Sequence, residues 1–335
     1  MRMVTVKFAA RLTLMIALLA VAMGCTQSKS AAEPAKAAAS VPRPVEPVST
    51  EKMQPPPPDS APPEHVNASQ AMQYVRQVVG FGPRYLGSPG HKKTEDFLRS
   101  HLQGVSLEDD TFTDSTPAGS FAMHNLIAKF PGSKDGIIVI AGHYDTLFGD
   151  KQFVGANDGG SSTGLPLALA DVFRTKKTLD GYSVWVVWLD GEEAIQKWSA
   201  TDGTYGSRHL ADKWKKDGTA AKIKGFLLLD MVGDSDLNID RDQNSTPWME
   251  DLVYEAASRI GYQSHFFGRP IAVNDDHQPF AAVGVPVADL IDFDYGYNDV
   301  FWHTHDDTVD KLSPQSLGIV GDVVLETVRL LNAKK

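Results

Sequence analysis

The sequence has 335 residues, 42% hydrophobic and 22% charged, which is a globular composition long enough for one large domain or two small ones. Its formal net charge of -10 lacks the basic balance of a general nucleic-acid binder, so no nucleic-acid partner is expected. Residues 1–25 are laid out as a secretory leader: Arg2, Lys7 and Arg11 precede an apolar core from Leu12 to Met23, which ends at Gly24-Cys25. That core is too short to span a membrane comfortably. Cys25 is the sole cysteine, so the folded part carries no internal disulfide and must rest on its core. Its place after Ala22-Met23-Gly24 resembles a bacterial lipoprotein cleavage box, with Ala22 where Leu is more usual. The expectation is an exported bacterial protein held at a membrane, in the periplasm or at the outer membrane, by a lipid on Cys25.

Residues 26–65 are rich in Ala, Pro and Ser, with Pro55 to Pro58 in the middle and few large apolar residues. Such a stretch cannot bury enough surface to order itself and reads as a disordered tether. The catalytic domain is expected over 66–335. Ala71, Tyr74, Val75, Val78 and Val79 fall at helical spacing before Gly80, and Ser88-Pro89 opens a second helix. Strands are expected at Phe121 to Phe130 and Ile137 to Ala141, then a helix from Thr163 to Arg174. The run Val184 to Leu189 is apolar without alternation and stops at Asp190-Gly191, which reads as a strand buried on both faces. Beyond it, Ser207 to Lys215 suggests a helix, and Phe226 to Leu229 and Val285 to Ile291 suggest strands. Thr246-Pro247 and Ser313-Pro314 each start a longer helix. Strands alternating with helices predict an α/β fold, a three-layer α/β/α sandwich around a mixed, mostly parallel sheet.

The strong strands end in acids or histidines. Ile137 to Ala141 leads to Gly142-His143-Tyr144-Asp145, the Val184 strand to Glu192-Glu193, and the Phe226 strand to Asp230. Asp158 sits in a Gly-rich loop before a helix, and His303 and His305 follow Phe301-Trp302. Open α/β sheets place ligands beyond the carboxyl ends of their strands. His143, Asp158, Glu193, Asp230 and His303 therefore form a mixed imidazole and carboxylate set that suits zinc, and Glu192 is the spare acid, placed to act as general base beside the metal.

The motifs Gly142-His143-Tyr144-Asp145, Asp190-Gly191-Glu192-Glu193, Leu229-Asp230-Met231 and Trp302-His303-Thr304 together resemble the zinc aminopeptidase superfamily. Glu192-Glu193-Ala194 with Trp198-Ser199, Tyr205-Gly206-Ser207-Arg208, and Asp275-Asp276-His277 before Gly284-Val285-Pro286 resemble its animal-type glutaminyl-peptide cyclotransferases. The resemblance implies conversion of the N-terminal Gln of peptides or proteins into pyroglutamate with loss of ammonia. It implies one zinc per chain on Asp158, Glu193 and His303, with Glu192 as proton shuttle and Asp230 and Asp275 as hydrogen-bonding acids beside it. Trp198, Trp302, Asn274 and a non-ligating His143 would line the substrate site. Asn274 stands where the family usually has Gln, and Gly142 and Thr163 stand where the secreted animal enzymes have a cysteine pair. A monomer is the expected state.

The same donors leave a rival reading open. A two-zinc aminopeptidase would place a second metal on His143 and Asp230, and every ligand it needs is present. The loop from Ile195 to Tyr205, which carries Trp198, favours the cyclotransferase, because the aminopeptidase pattern brings a Gly-Ser pair much sooner after Glu-Glu. A non-catalytic relative would be expected to have lost ligands, whereas this chain keeps the full set.

Overall fold

The computed structural model describes residues 63–334. The expected leader, Cys25 and all but the last residues of the expected tether lie outside the described residues. Where the chain enters, His65 Nδ1 lies 2.7 Å from Asp322, and the Val66 amide donates to the same carboxylate at 2.9 Å. The chain is therefore fixed to the fold just ahead of the expected boundary at residue 66.

The expected helices form, and the start read at Ser88-Pro89 is a side-chain cap. Asn67 accepts from the Gln70 amide and starts α1 (Ala68–Val79), and Ser88 accepts from the His91 amide ahead of Pro89 and starts α2 (Pro89–His101). The other helices are α3 (Gly160–Arg174), α4 (Tyr205–Asp217), α5 (Pro247–Arg259), α6 (His277–Ala282) and α7 (Pro314–Ala333). Thr246 before α5 does a different job from the one its position suggests. Its hydroxyl accepts from the Val287 amide, which ties the helix start to a strand instead of capping it.

Among the described residues eight strands follow in chain order: β1 (Ser106–Thr116), β2 (Gly119–Phe130), β3 (Gly132–His143), β4 (Leu179–Leu189), β5 (Ile223–Asp230), β6 (Ile239–Asp242), β7 (Phe266–Ile271) and β8 (Val287–Ile291). Six make the central sheet in the order β1-β2-β4-β3-β5-β8, while β6 and β7 pair separately. β3, β4, β5 and β8 run parallel, and β2 is antiparallel to both β1 and β4. The mixed, mostly parallel sheet is as expected. Along β4, Val184, Val186 and Trp188 enter the core shared with α1, α3, α5 and α7, and Val187 and Leu189 enter the core shared with α4 and α6. Both faces are dry, which is why the run lacks alternation.

Four elements were not expected, β1, β6, β7 and α6. β1 is the sheet edge, and its sequence Ser-Leu-Glu-Asp-Asp-Thr-Phe-Thr-Asp-Ser-Thr is too acidic to read as a strand. Edge strands carry charge that discourages further pairing, and here Lys213 neutralises Glu108 and Asp110 at 2.7 and 2.8 Å. The β6–β7 pair is short and charged, and α6 contains Pro279, so neither gives a period.

Glu250 in the first turn of α5 is buried, accepts from Arg241 Nε at 3.2 Å through one oxygen and has no partner for the other. Burial outweighs the pull of Arg241 and pushes its carboxyl from 4.5 up to about 7. A raised carboxyl contributes its full stability below about pH 4.5 and loses it as pH climbs toward 7. Glu250→Gln keeps the acceptor for Arg241 and cannot ionise. Its melting temperature should therefore gain on the parent by roughly 5 °C between pH 5 and 8, on the order of 2 kcal/mol. Parallel melting curves across that range would contradict the assignment.

Candidate active site

His143, Glu192, Glu193 and Asp230 sit at or just past the carboxyl ends of central strands, whereas Asp158 and His303 come from the loops ahead of α3 and α7. His143 closes β3, Asp230 closes β5, and Glu192-Glu193 follow β4 after Asp190-Gly191. Asp145 holds that last turn in place, accepting the Glu192 amide on one oxygen and the Glu193 amide on the other, each at 3.1 Å. The two adjacent acids thus owe their position to a third. Behind them the first amides of α4 turn back onto the turn: Gly206 N–H donates to the Asp190 carbonyl at 2.9 Å and Tyr205 N–H to Gly191 at 2.8 Å. A Cβ on Gly206 would lie 2.4 Å from that Asp190 carbonyl, so only Gly fits.

Asp158 is placed by Asp307, which accepts its amide at 3.1 Å and the Asn157 amide at 2.8 Å while Tyr295 donates its hydroxyl at 2.7 Å. Beneath the same loop lies Arg84, fully buried, donating to the carbonyls of Tyr144, Val154 and Gly155. Burial lowers its pKa to about 10, against the charges of Asp307, Asp158, Asp145 and Glu193. It remains a cation at neutral pH under a cluster of acids. Sequence reasoning missed Arg84, Asp145 and Asp307 as positioning groups. The signals were slight, namely the acid two residues after His143 and the Asp pair after His305.

His303 stands at φ 53°, in the left-handed region that bulky residues avoid, so the surrounding structure must enforce it. Its ring packs on Trp302 at 4.2 Å, and its Nε2 comes 3.2 Å from Asp158 and 3.6 Å from Glu193. The ligand atoms of Asp158, Glu193 and His303 all lie within 4.8 Å of one another. Glu193 Oε1 is buried and has no hydrogen-bond partner, which leaves it a free lone pair for a cation. Two carboxylates and one imidazole, with a cavity in front, fit an open zinc site.

His143 differs from its expected place in the substrate wall. It is 1% exposed and lies behind the metal group, its Nε2 3.1 Å from Asp230 and 3.3 Å from Asp158 and its Nδ1 3.9 Å from Glu192. Burial works against its protonation, but the charge of Asp230 and hydrogen bonds to Asp145, Asp158 and Asp230 prevail and raise its pKa well above the usual value. In return, burial works against ionisation of Asp158, but hydrogen bonds from His143 and His303 hold its carboxyl below the usual range. Glu192 goes the other way. Burial, with Glu193, Asp275 and Asp276 as like-charged neighbours, raises its carboxyl well above the ordinary range against the pull of His143. Burial and the charge of Asp230 raise Asp275 likewise, and Asp275 Oδ2 has no partner. Asp230 accepts from Ser162 at 2.8 Å.

In front of these groups is a cavity of about 510 Å³. Asp158, Glu192, Glu193, Asp230, Asp275 and His303 reach it, and Trp198, Asn274 and Trp302 wall it. Ile271, Val273, Ile291 and Phe293 complete an apolar lining that sequence reasoning did not find, because the segment around β7 gave no strand signal. Trp198 rides on the loop between β4 and α4. Asp202, 6% exposed, organises that loop by accepting the amides of Ile195, Gln196 and Lys197 at 2.7, 3.0 and 2.9 Å and the Tyr205 hydroxyl at 2.9 Å.

Residues 125–328 match peptidase family M28. The chain belongs to that family. It is 32% identical over 261 residues to the glutaminyl-peptide cyclotransferase-like protein of Mus musculus, across 69% of this chain and 67% of the relative. The crystal structure of an Acidobacteriales bacterium glutaminyl cyclase superposes with a TM-score of 0.80 at 49% identity, covering 83% of this chain and 99% of that one. The glutaminyl cyclase of Porphyromonas gingivalis does so with a TM-score of 0.71 at 27% identity, covering 79% and 98%. Among M28 proteins, the chain is thus similar to glutaminyl cyclases.

Removing the Asp202 carboxylate should free the Trp198 loop without touching the sheet. In Asp202→Ala the amides of residues 195–197 should exchange with deuterium at least about 10-fold faster, at a cost of about 1–3 kcal/mol in stability. Unchanged exchange in that peptide, read by mass spectrometry, would show that the loop does not depend on Asp202.

Proposed function

We propose that this protein is a zinc-dependent glutaminyl-peptide cyclotransferase that converts the N-terminal Gln of peptides or proteins to pyroglutamate and releases ammonia. The observation that carries the reading is the Trp198 loop, which walls the same cavity as Asp158, Glu193 and His303. The similarity to glutaminyl cyclases supports it.

The reaction is intramolecular. The α-amine of Gln attacks its own γ-carboxamide carbon, the five-membered lactam forms, and the bond to the carboxamide nitrogen breaks. Zinc on Asp158, Glu193 and His303 would supply Lewis acidity toward the carboxamide oxygen. Trp198 and Trp302 hold the folded substrate so that amine and carbonyl meet, which accounts for a large part of such a rate. Glu192 takes the proton from the attacking amine and returns it to the departing nitrogen, which leaves as ammonia. An acid with both duties needs a raised proton affinity, and the burial and like charges around Glu192 provide one. Asp230 and Asp275 are the neighbouring acids of that network.

One observation favours a second reading. His143, Asp158 and Asp230 also bring ligand atoms within 4.8 Å of one another, as a two-zinc aminopeptidase requires. The Trp198 loop in the cavity wall and the similarity to glutaminyl cyclases favour the cyclotransferase over this reading.

Purified protein should hold about one zinc per chain. His303→Ala should lose it and His143→Ala should keep it. Glu192→Gln should keep zinc while cyclisation of a Gln-initiated peptide, followed by ammonia loss in the mass spectrum, falls about 10²–10⁴-fold. Two zincs, one of them lost in His143→Ala, together with release of free N-terminal residues, would establish the aminopeptidase instead.

The leader motif gives a further part of the proposal: Cys25 becomes the lipid-bearing N-terminus and anchors the enzyme at a bacterial membrane. Each acyl methylene contributes about 0.8 kcal/mol, so two chains hold firmly. Intact mass of detergent-extracted protein should show the acylated Cys25. A soluble, unacylated mature form would refute the anchor.

A further inference from the structure

A second cavity of about 530 Å³ adjoins the first and shares Trp198, Asn274 and Asp275 with it as a common wall. Arg208 of α4 lines it. Its Nε and Nη2 both donate to a single carbonyl, that of Gly203, at 3.2 Å, and its guanidinium lies 5.0 Å from the centre of the Tyr205 ring. Among the described residues no carboxylate pairs with it. In a chain of net charge -10 this half-buried guanidinium is held in a fixed pose with donor edges to spare. Lys197, on the wall of the first cavity, is also without an ion pair among the described residues. The rings of Trp302 and Phe293, packed 4.8 Å apart, line the first cavity and not the second.

With the γ-carboxamide directed at the metal group and the α-amine at Glu192, the wall shared by the two cavities, Trp198, Asn274 and Asp275, offers the peptide that follows the Gln a way out of the first. We propose that the second cavity is the subsite for the residue after the N-terminal Gln, and that Arg208, aided by Lys197, selects an acidic side chain there. The inference rests on the cyclotransferase reading above. Arg suits this task because its planar fork meets a carboxylate through two parallel hydrogen bonds. The Asn274 and Gln278 side chains, bonded to each other at 3.1 Å, give the same wall further polar contacts for the substrate backbone.

The test uses three C-terminally amidated peptides, Gln-Glu-Ala, Gln-Ala-Ala and Gln-Lys-Ala, with the zinc-loaded enzyme. The Glu peptide should exceed the Lys peptide in kcat/KM by about 5- to 10-fold. The difference should reside in KM and shrink at about 0.5 M salt, where screening is strong. In Arg208→Gln the ratio should drop below about 2, and Arg208→Lys should keep most of it. Because the readout is a ratio, a general loss of activity in either variant cancels. A ratio near one in the parent, with Gln-Ala-Ala turned over well, overturns the subsite and leaves the cyclotransferase standing. Failure to cyclise Gln-Ala-Ala overturns both. A preference that survives Arg208→Gln removes Arg208 from the role. Should that variant not fold, a preference in the parent that is insensitive to salt overturns the proposal equally.

Discussion

The site depends on keeping eight buried carboxyl groups together: Asp145, Asp158, Glu192, Glu193, Asp230, Asp275, Asp276 and Asp307. Two like charges 4 Å apart repel by about 4 kcal/mol at an effective dielectric constant near 20, so all eight cannot be ionised without counter-charge. The chain answers in three ways. Asp145 and Asp307 are solvated by backbone amides, and those bonds fix the loops that carry the metal group. Arg84 supplies buried positive charge, and the acids around His143 favour its protonated form. Glu192 and Asp275 hold their protons more tightly than ordinary carboxyls. The third answer is also the chemistry, because a raised proton affinity suits an acid that must take up a proton and return it.

The parallel core of the sheet was legible because burial on both faces writes continuous apolar runs, as at Val184 to Leu189 and Phe226 to Leu229. Helix starts were legible at Ser88 and Ser313, where cap chemistry is local. β1 was not, since an edge strand covered with acids looks like a loop until Lys213 is brought to it from α4, about a hundred residues away. In the site, the groups that touch metal or substrate announced themselves by residue type at strand ends. The groups that aim them did not. Arg84 sits after a Gly-Pro turn and Asp202 inside a polar loop, and nothing local shows that either is buried. Their roles are defined by carbonyls and amides distant in sequence. His143 was identified for its chemistry, but its depth is set by the approach of β3 to α3, which only the fold reveals.

That approach also bears on the cysteine pair that the resemblance expected and the sequence lacks. A Cβ on Gly142 would come within 2.2 Å of the Ser162 carbonyl, so strand and helix meet here backbone to backbone. Thr163 then bonds its hydroxyl to the carbonyl of Gly159 within its own helix. Close contact of the two backbones stands where a covalent link would otherwise be.

The bonds from His65 and Val66 to Asp322 join the start of the described chain to the last helix, more than 250 positions later. α7 also packs on α1, α3, α5 and β5, so the larger core stays open until that helix has been synthesised. Contacts of such long range delay folding, because the entropy of closing the loop is lost before the contact forms. A growing chain of this design remains uncommitted while it leaves the ribosome. One that must be threaded through a narrow protein-conducting channel would arrive on the far side still able to pass, and would lock only once its final helix had come through.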